Sequence, residues 1–427
     1  MNTTICVHFR NSFFGSIRPV LFIAVLFIVN SCSKDDKNTD TPPMVEYSAE
    51  VTILAAENHQ VIRGFGCATA FNPPNTTAIT TAEFERLFGQ GNGQVGLTYL
   101  RIRVGTDEAW RTTELNYSKE VVRLGGKIIA CPWTPPARFK TNNSLVGGKL
   151  ITDSSDAYAK YLNDFALYMQ ANGAPLYAIS VQNEPDWNPT YEGCVWTAEE
   201  MRDFLRDHGA KVTATKLMAG ELVNNNQTFM NTILSDEGAL ANTDILSTHI
   251  YGGGIIDNPQ IRAKGKEIWM TEHLDTNITH AASLATATEI HNCFTKANFN
   301  AYIWWYGKRF YGPIGQDGMV TKRGYFISQF ARFIRDGAVR SGTSANSRMD
   351  VLVSAYRNGP KKVVVVINTG NLQIRQKVRF NGADATSFMP YITSQTKNAE
   401  QSSPISTSDN TFTYSIPPLS VVTFVEQ

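Results

Sequence analysis

The chain has 427 residues, a formal net charge of +1, 42% hydrophobic residues and 18% charged residues. That balance is too apolar for a disordered chain and offers no basic excess for a nucleic-acid partner. The length allows two or three domains, or one barrel of about 200 residues or more with additions.

At the N-terminus, Arg10 and Arg18 precede the apolar run "PVLFIAVLFIVN", and "SCSKDD" follows it. About a dozen apolar residues are too few to cross a bilayer comfortably, and with basic residues upstream they read as a signal peptide. Val29 to Cys32 resemble a bacterial lipobox, in which the cysteine is lipidated and becomes the new N-terminus. The polar, acidic stretch after it resembles the tract that directs some Bacteroidetes lipoproteins to the cell surface. The expectation is a signal peptide over 1–31 and a tether over 32–44. The protein would then be exported and held by a lipid on Cys32 to the outer membrane or cell surface, and otherwise periplasmic or secreted. The alternative is a plain secretory signal with an accidental cysteine. Further on, Cys67, Cys131, Cys194 and Cys293 form no C-x-x-C pair, so neither a zinc site nor a dense disulfide framework is indicated. They are expected as buried thiols, with one bridge left open for an exported chain.

Residues 45–61 carry the strand-like "EYSAEVTILA". From 62 to 332, eight short apolar runs alternate with amphipathic stretches: "IRGFGCAT", "YLRIRVG", "KIIACPW", "YAISVQNE", "KLMAGE", "DILSTHIY", "EIWMTEH" and "AYIWWY". In the stretch before "YAIS", Ala157, Tyr161, Leu162, Phe165 and Tyr168 recur at helical spacing, and Gly173 marks a stop. Strands alternating with helices predict parallel strands closed into a (β/α)8 TIM barrel of the α/β class. Over 333–427 helical periodicity gives way to β-rich runs such as "KKVVVVINTG" and "SVVTFVEQ". A side β-sandwich is expected there, completed by the early strand, so that both chain ends build it.

Catalytic groups of such a barrel stand at the C-terminal ends of its strands. Glu184 ends the fourth run and Glu272 the seventh. Two facing carboxylates are what glycosidic cleavage requires, one protonated to assist the leaving group and one ionised to attack or to activate water. Asn183 is placed to hold a sugar hydroxyl beside Glu184, and Pro185 stiffens the turn. Arg103 is expected to face one of the acids. His249 and Tyr251 end the sixth run, where the phenol can bond a nucleophilic carboxylate. Glu221, ending the fifth run, is expected only to cap its strand in a solvated loop. His249 and His273 suggest a metal, but no third ligand stands at a matching strand end, so neither metal nor cofactor is expected. Trp133, Trp187 and Trp305 are candidates for stacking on sugar rings.

The motifs "RGFGCATAFN", "RIRVG", "ACPWTPPARFKTN", "VQNEPDW", "HIYGG" and "WMTEH" resemble glycoside hydrolase family 30, in order and at the expected strands. The resemblance implies a retaining mechanism with Glu184 as general acid/base and Glu272 as nucleophile; the partner expected is a polysaccharide, and the chain is expected to be a monomer. The stretch "WWYGKRFYGPI" resembles the loop of the bacterial glucuronoxylanase subfamily, whose arginine grips a (methyl)glucuronate branch of xylan; the matching residues are Arg309, Tyr306 and Tyr311. Leu274 stands where that subfamily has a tyrosine, and Asp275 to Asn277 replace a serine-bearing segment. The implied activity is endo-β-1,4-xylanase with a preference for glucuronoxylan. The alternatives are another activity of the family (β-1,6-glucanase, β-xylosidase or glucosylceramidase) or a non-catalytic glycan-binding lipoprotein.

Overall fold

The computed structural model describes residues 47–71 and 78–427. The expected signal peptide, tether and Cys32 lie outside the described residues. The first strand, β1 (Tyr47–Ile62), is followed by eight parallel strands that close a barrel: β2 (Gly64–Ala68), β3 (Tyr99–Arg103), β4 (Lys127–Cys131), β5 (Leu176–Ser180), β6 (Lys216–Leu222), β7 (Ile245–His249), β8 (Glu267–Glu272) and β9 (Ala301–Tyr306). These are the eight apolar runs of the sequence, and β9 pairs back onto β2.

The expected helix before β5 forms over Ser155–Ala171, with Gly173 at φ +81° just beyond its end. Its buried face is Tyr158, Ala159, Leu162, Phe165, Ala166 and Met169, whereas Ala157 is exposed and Tyr161 and Tyr168 are half-buried. The apolar stripe is therefore rotated about one residue from the expected one, because Ala159, Ala166 and Met169 fill the space against the barrel.

The C-terminal strands are β10 (Ala338–Thr343), β11 (Val351–Asn358), β12 (Lys361–Asn368), β13 (Ile374–Asn381), β14 (Ser387–Thr393), β15 (Glu400–Gln401), β16 (Ile405–Ser406), β17 (Thr411–Ile416) and β18 (Ser420–Glu426). With β1 they make one ten-stranded sheet in the order β15-β14-β18-β12-β11-β10-β1-β13-β17, with β16 beside β14. Strand β1 runs parallel to β13 and antiparallel to β10, shifting register between Leu54 and Val61, so bulges let one long strand serve two neighbours. The sheet wraps a core of its own, including Val51, Val364, Val366, Phe380, Phe388, Phe412 and Phe424. On β12 the alternate residues Val363, Val365 and Ile367 point the other way, into the core shared with the barrel. That two-sided burial is why "VVVVI" is apolar at every position. Strand β10, with Arg340, Ser341 and Gly342, lacks such a run, and nothing in its sequence marked it as a strand.

Candidate active site

Strand alternation puts Tyr99, Arg101 and Arg103 on the inner face of β3. Tyr99 belongs to an apolar plug low in the barrel with Ile129, Ala178, Met218, Ile245, Trp269, Ala301 and Ile303. One layer higher, Arg101 is fully buried. Its guanidinium donates to Glu272 Oε2 at 2.6 Å, to Asn183 Oδ1 at 2.6 Å and to Glu221 Oε2 at 3.2 Å, and it lies 4.8 Å from the Trp133 ring centre. Arg103 does not reach the acids. It stands further up the strand, pairs with Glu192, and packs against Phe71 and Trp110 at 4.4 and 5.3 Å. The expectation for Arg103 is thus corrected in favour of Arg101, one step deeper on the same face.

Glu184 and Glu272 come together at the barrel mouth, with a carboxylate oxygen of each and a ring nitrogen of His249 all within 4.8 Å of one another. Glu184 follows the end of β5 in a left-handed conformation, φ +46°, and Glu221 near the end of β6 has φ +50°. Such outliers are held by surrounding structure; here the Glu184 N–H donates to the Glu221 carbonyl at 2.9 Å. Tyr251 donates its hydroxyl to Glu272 Oε1 at 2.8 Å, the phenol–carboxylate contact expected at the end of the sixth run. Tyr191, not singled out from the sequence, donates to Glu184 Oε2 at 3.2 Å.

Glu221 is the larger correction. It is 1% exposed and sits in the site as a third carboxylate. Ser180 donates to it at 2.6 Å and Thr271 at 2.5 Å, with Arg101 at 3.2 Å and His249 Nε2 at 3.1 Å. Burial pushes its carboxyl up, but the Arg101 charge and the His249 hydrogen bond outweigh that and hold it at about 2. His249 lies between two acids, with Nδ1 3.1 Å from Glu184 and Nε2 3.1 Å from Glu221. Burial pushes the imidazole down, yet the Glu272 charge and the bonds to Glu184 and Glu221 carry it up to about 9. Burial raises Glu184 as well, and His249, Arg101 and Tyr191 together take it below the usual carboxylate range. Each His249 nitrogen thus faces a carboxylate, and the protonated ring can donate to both. His273 turns away to Glu289 at 2.9 Å.

The two acids open into a cleft of about 540 Å³ lined by Phe71, Trp133, Glu184, Trp187, Tyr191, Val223, Tyr251, Glu272, Leu274 and Trp305. All three tryptophans proposed for stacking line it, Trp187 being 51% exposed and free to meet a sugar. Beside Trp305, the Tyr306 ring lies 4.5 Å away by ring centres, and the Arg309 guanidinium stands 4.1 Å over Tyr306. One terminal nitrogen of Arg309 is buried with no hydrogen-bond partner among the described residues. Tyr311 is buried next to Phe310. Neighbouring Lys308 is tied to Glu83 at 2.8 Å and is not free to stand in for Arg309. The four cysteines of the described residues are buried free thiols.

A parallel eight-stranded barrel with two carboxylates facing across its mouth is the frame of a glycosidase. The Glycosyl hydrolase family 30 TIM-barrel domain matches residues 106–275. The glucuronoxylanase XynC of Bacillus subtilis (strain 168) is 36% identical over 392 residues, covering 88% of this chain and 92% of that protein. Among solved structures, the family 30 subfamily 8 xylanase Xyn30A of Clostridium acetobutylicum superposes with a TM-score of 0.83 at 36% identity, over 88% of this chain and 99% of that one. The family 30 endoxylanase of Clostridium papyrosolvens C71 gives 0.81 at 33% identity, over 88% of this chain and all of that one (100%). The chain belongs to glycoside hydrolase family 30.

Proposed function

We propose that the protein is a retaining endo-β-1,4-xylanase that favours xylan bearing (methyl)glucuronate branches. The observation that carries the reaction type is the Glu184–Glu272 pair, whose carboxylate oxygens approach within 4.8 Å, nearer the spacing of about 5–5.5 Å of retaining carboxyl groups than the roughly 6.5–9.5 Å of inverting ones. In the first step a Glu272 oxygen attacks the anomeric carbon while the C–O bond to the leaving sugar breaks and Glu184 gives that oxygen a proton. Arg101 and Tyr251 aim the attacking carboxylate. In the second step Glu184 takes a proton from water, the resulting hydroxide oxygen bonds to the anomeric carbon, and Glu272 departs. The proton that Glu184 delivers is shared with His249, whose Nδ1 stands 3.1 Å from its carboxylate. No metal or cofactor enters these steps.

Relatives of 33–36% identity named as glucuronoxylanase or xylanase support the substrate class. Arg309 supports the branch preference: a guanidinium stacked on Tyr306 beside the cleft, with one terminal nitrogen left without a hydrogen-bond partner among the described residues, is suited to grip a carboxylate. Leu274 favours a looser dependence on the branch, because it lines the cleft with no polar group. Side-by-side digestion of glucuronoxylan and unbranched xylan tests the reading: oligosaccharides with the branch at a fixed distance from the cut support it, and identical product ladders from both contradict it.

The export signal and lipid on Cys32 remain part of the proposal, as does a monomeric state. Mature protein is expected in the membrane fraction and Cys32→Ala in the soluble fraction or unprocessed; a mature N-terminus downstream of Cys32 without lipid overturns it. One acyl chain binds membranes only marginally, so stable anchoring calls for more than one.

A further inference from the structure

A second cavity, of about 710 Å³, lies at the other end of the barrel. Its lining includes Gln60, Arg262 and Asn298, which precede the N-terminal ends of β2, β8 and β9, whereas Glu184 and Glu272 stand at C-terminal ends. It fills the angle between the barrel floor and the side sheet, to which β1 and β10 contribute Glu57 to Gln60 and Arg340. Among the described residues, none that lines the xylan-cleaving cleft lines this cavity.

The floor holds two buried groups with unmet demands. Arg340 is 7% exposed, donates Nε to Gln60 Oε1 and one terminal nitrogen to Asn298 Oδ1, both at 2.9 Å, and makes no ion pair among the described residues. His291 is also 7% exposed, and its Nδ1 is buried without a hydrogen-bond partner among the described residues. A buried cation without a counter-charge is costly, and so is a buried ring nitrogen without a hydrogen bond. One anion seated on the floor meets both demands. The rest of the lining sets its character. Arg262 is already neutralised by Asp257, and Glu57 stands on the rim, so among the described residues the site has one cation to offer and repels a dianion. Asn58, His59, Thr295, Asn298 and Thr343 supply donors and acceptors suited to hydroxyls, and Val353 gives one apolar wall.

We propose that this cavity is a second saccharide site that takes a uronic acid, with the sugar carboxylate on Arg340 and its hydroxyls on the amide and hydroxyl side chains around it. The size fits one or two sugar rings by the usual range of ligand pockets, roughly 300–1,000 Å³. Binding here does not depend on the chemistry assigned to Glu184 and Glu272, so the two readings stand or fall separately.

The test is calorimetric titration of the full-length Arg309→Ala protein, which lacks the uronate grip proposed for the catalytic cleft, with D-glucuronate, D-glucose, acetate and inorganic phosphate. Saturable binding of D-glucuronate is expected, weakened at least tenfold by Arg340→Met, with glucose, acetate and phosphate each binding at least tenfold less tightly. His59→Trp, which fills the exposed mouth and leaves the buried floor intact, should remove binding in a protein of unchanged thermal stability. It decides the matter if Arg340→Met folds poorly. Ring signals of His59 and His291 should move with the same saturation curve in nuclear magnetic resonance spectra. Absence of saturable glucuronate binding, binding untouched by His59→Trp, or equal binding of phosphate or glucose overturns the proposal.

Discussion

His249 Nδ1 stands 3.1 Å from Glu184 Oε1. The contact reconciles two facts about Glu184. An acid catalyst needs a proton, yet the charges around Glu184 hold its carboxyl below the usual range. The ring beside it is raised to about 9, so near neutral pH the pair carries one proton between them, mostly on the histidine.

His249→Gln keeps a hydrogen-bonding group at that place but cannot carry the proton. Its kcat on xylan should fall by one to two orders of magnitude, while aryl xylobiosides with good leaving groups, which need little acid help, should lose much less. The alkaline limb of its kcat/KM profile should move to lower pH. An unchanged limb, with equal loss on both substrate types, would make His249 a packing residue.

Glu221 and His249 give stability with opposite pH dependence. The Glu221 carboxyl is depressed to about 2, so its contribution is complete above the usual value of 4.5 and is lost as pH falls from there through about 2. The His249 ring is raised to about 9, so its contribution is complete below 6.5 and is lost as pH rises through about 9. Stability from the pair is therefore greatest between those limits. Glu221→Gln leaves Arg101 and His249 short of a counter-charge and should cost roughly 3–5 kcal/mol near neutral pH. Denaturant unfolding across pH should show the gap to wild type closing in acid; a gap independent of pH would contradict the assignment.

Arg309→Ala removes a contact of the kind worth roughly 1.5–3 kcal/mol, so kcat/KM on glucuronoxylan should drop about 10- to 150-fold. Because Leu274 supplies no second polar contact, the lower part of that range is expected. Unbranched xylo-oligosaccharides should be nearly unaffected. Equal losses on both would show that Arg309 supports the cleft in general.

The barrel was legible because its eight strands are short apolar runs whose order and spacing leave few other topologies, and the acids were legible because they end such runs. The charged layer beneath them was not. Arg101 and Arg103 are both in "RIRVG" and share a face, so alternation alone cannot tell which of them meets the acids; that depends on Glu192, which intercepts Arg103 higher on the strand. Glu221 follows an apolar run just as Glu184 does, but its burial depends on Ser180, Thr271, His249 and Arg101, which come from four other strands. Tyr191 stands in a loop with no periodicity to place it. Arg340, on a strand with little apolar character, gave no signal until β1 and β10 were seen to pair.

The central claim is the division of labour between Glu184 and Glu272, and trapping the covalent intermediate tests it most directly. Incubation with a 2-deoxy-2-fluoro-xylobioside bearing an activated leaving group, followed by peptide mass spectrometry, should place one glycosyl label on Glu272, with loss of activity in step with labelling. A label on Glu184 or Glu221 would contradict the account, as would a first-formed product of inverted anomeric configuration with no label at all.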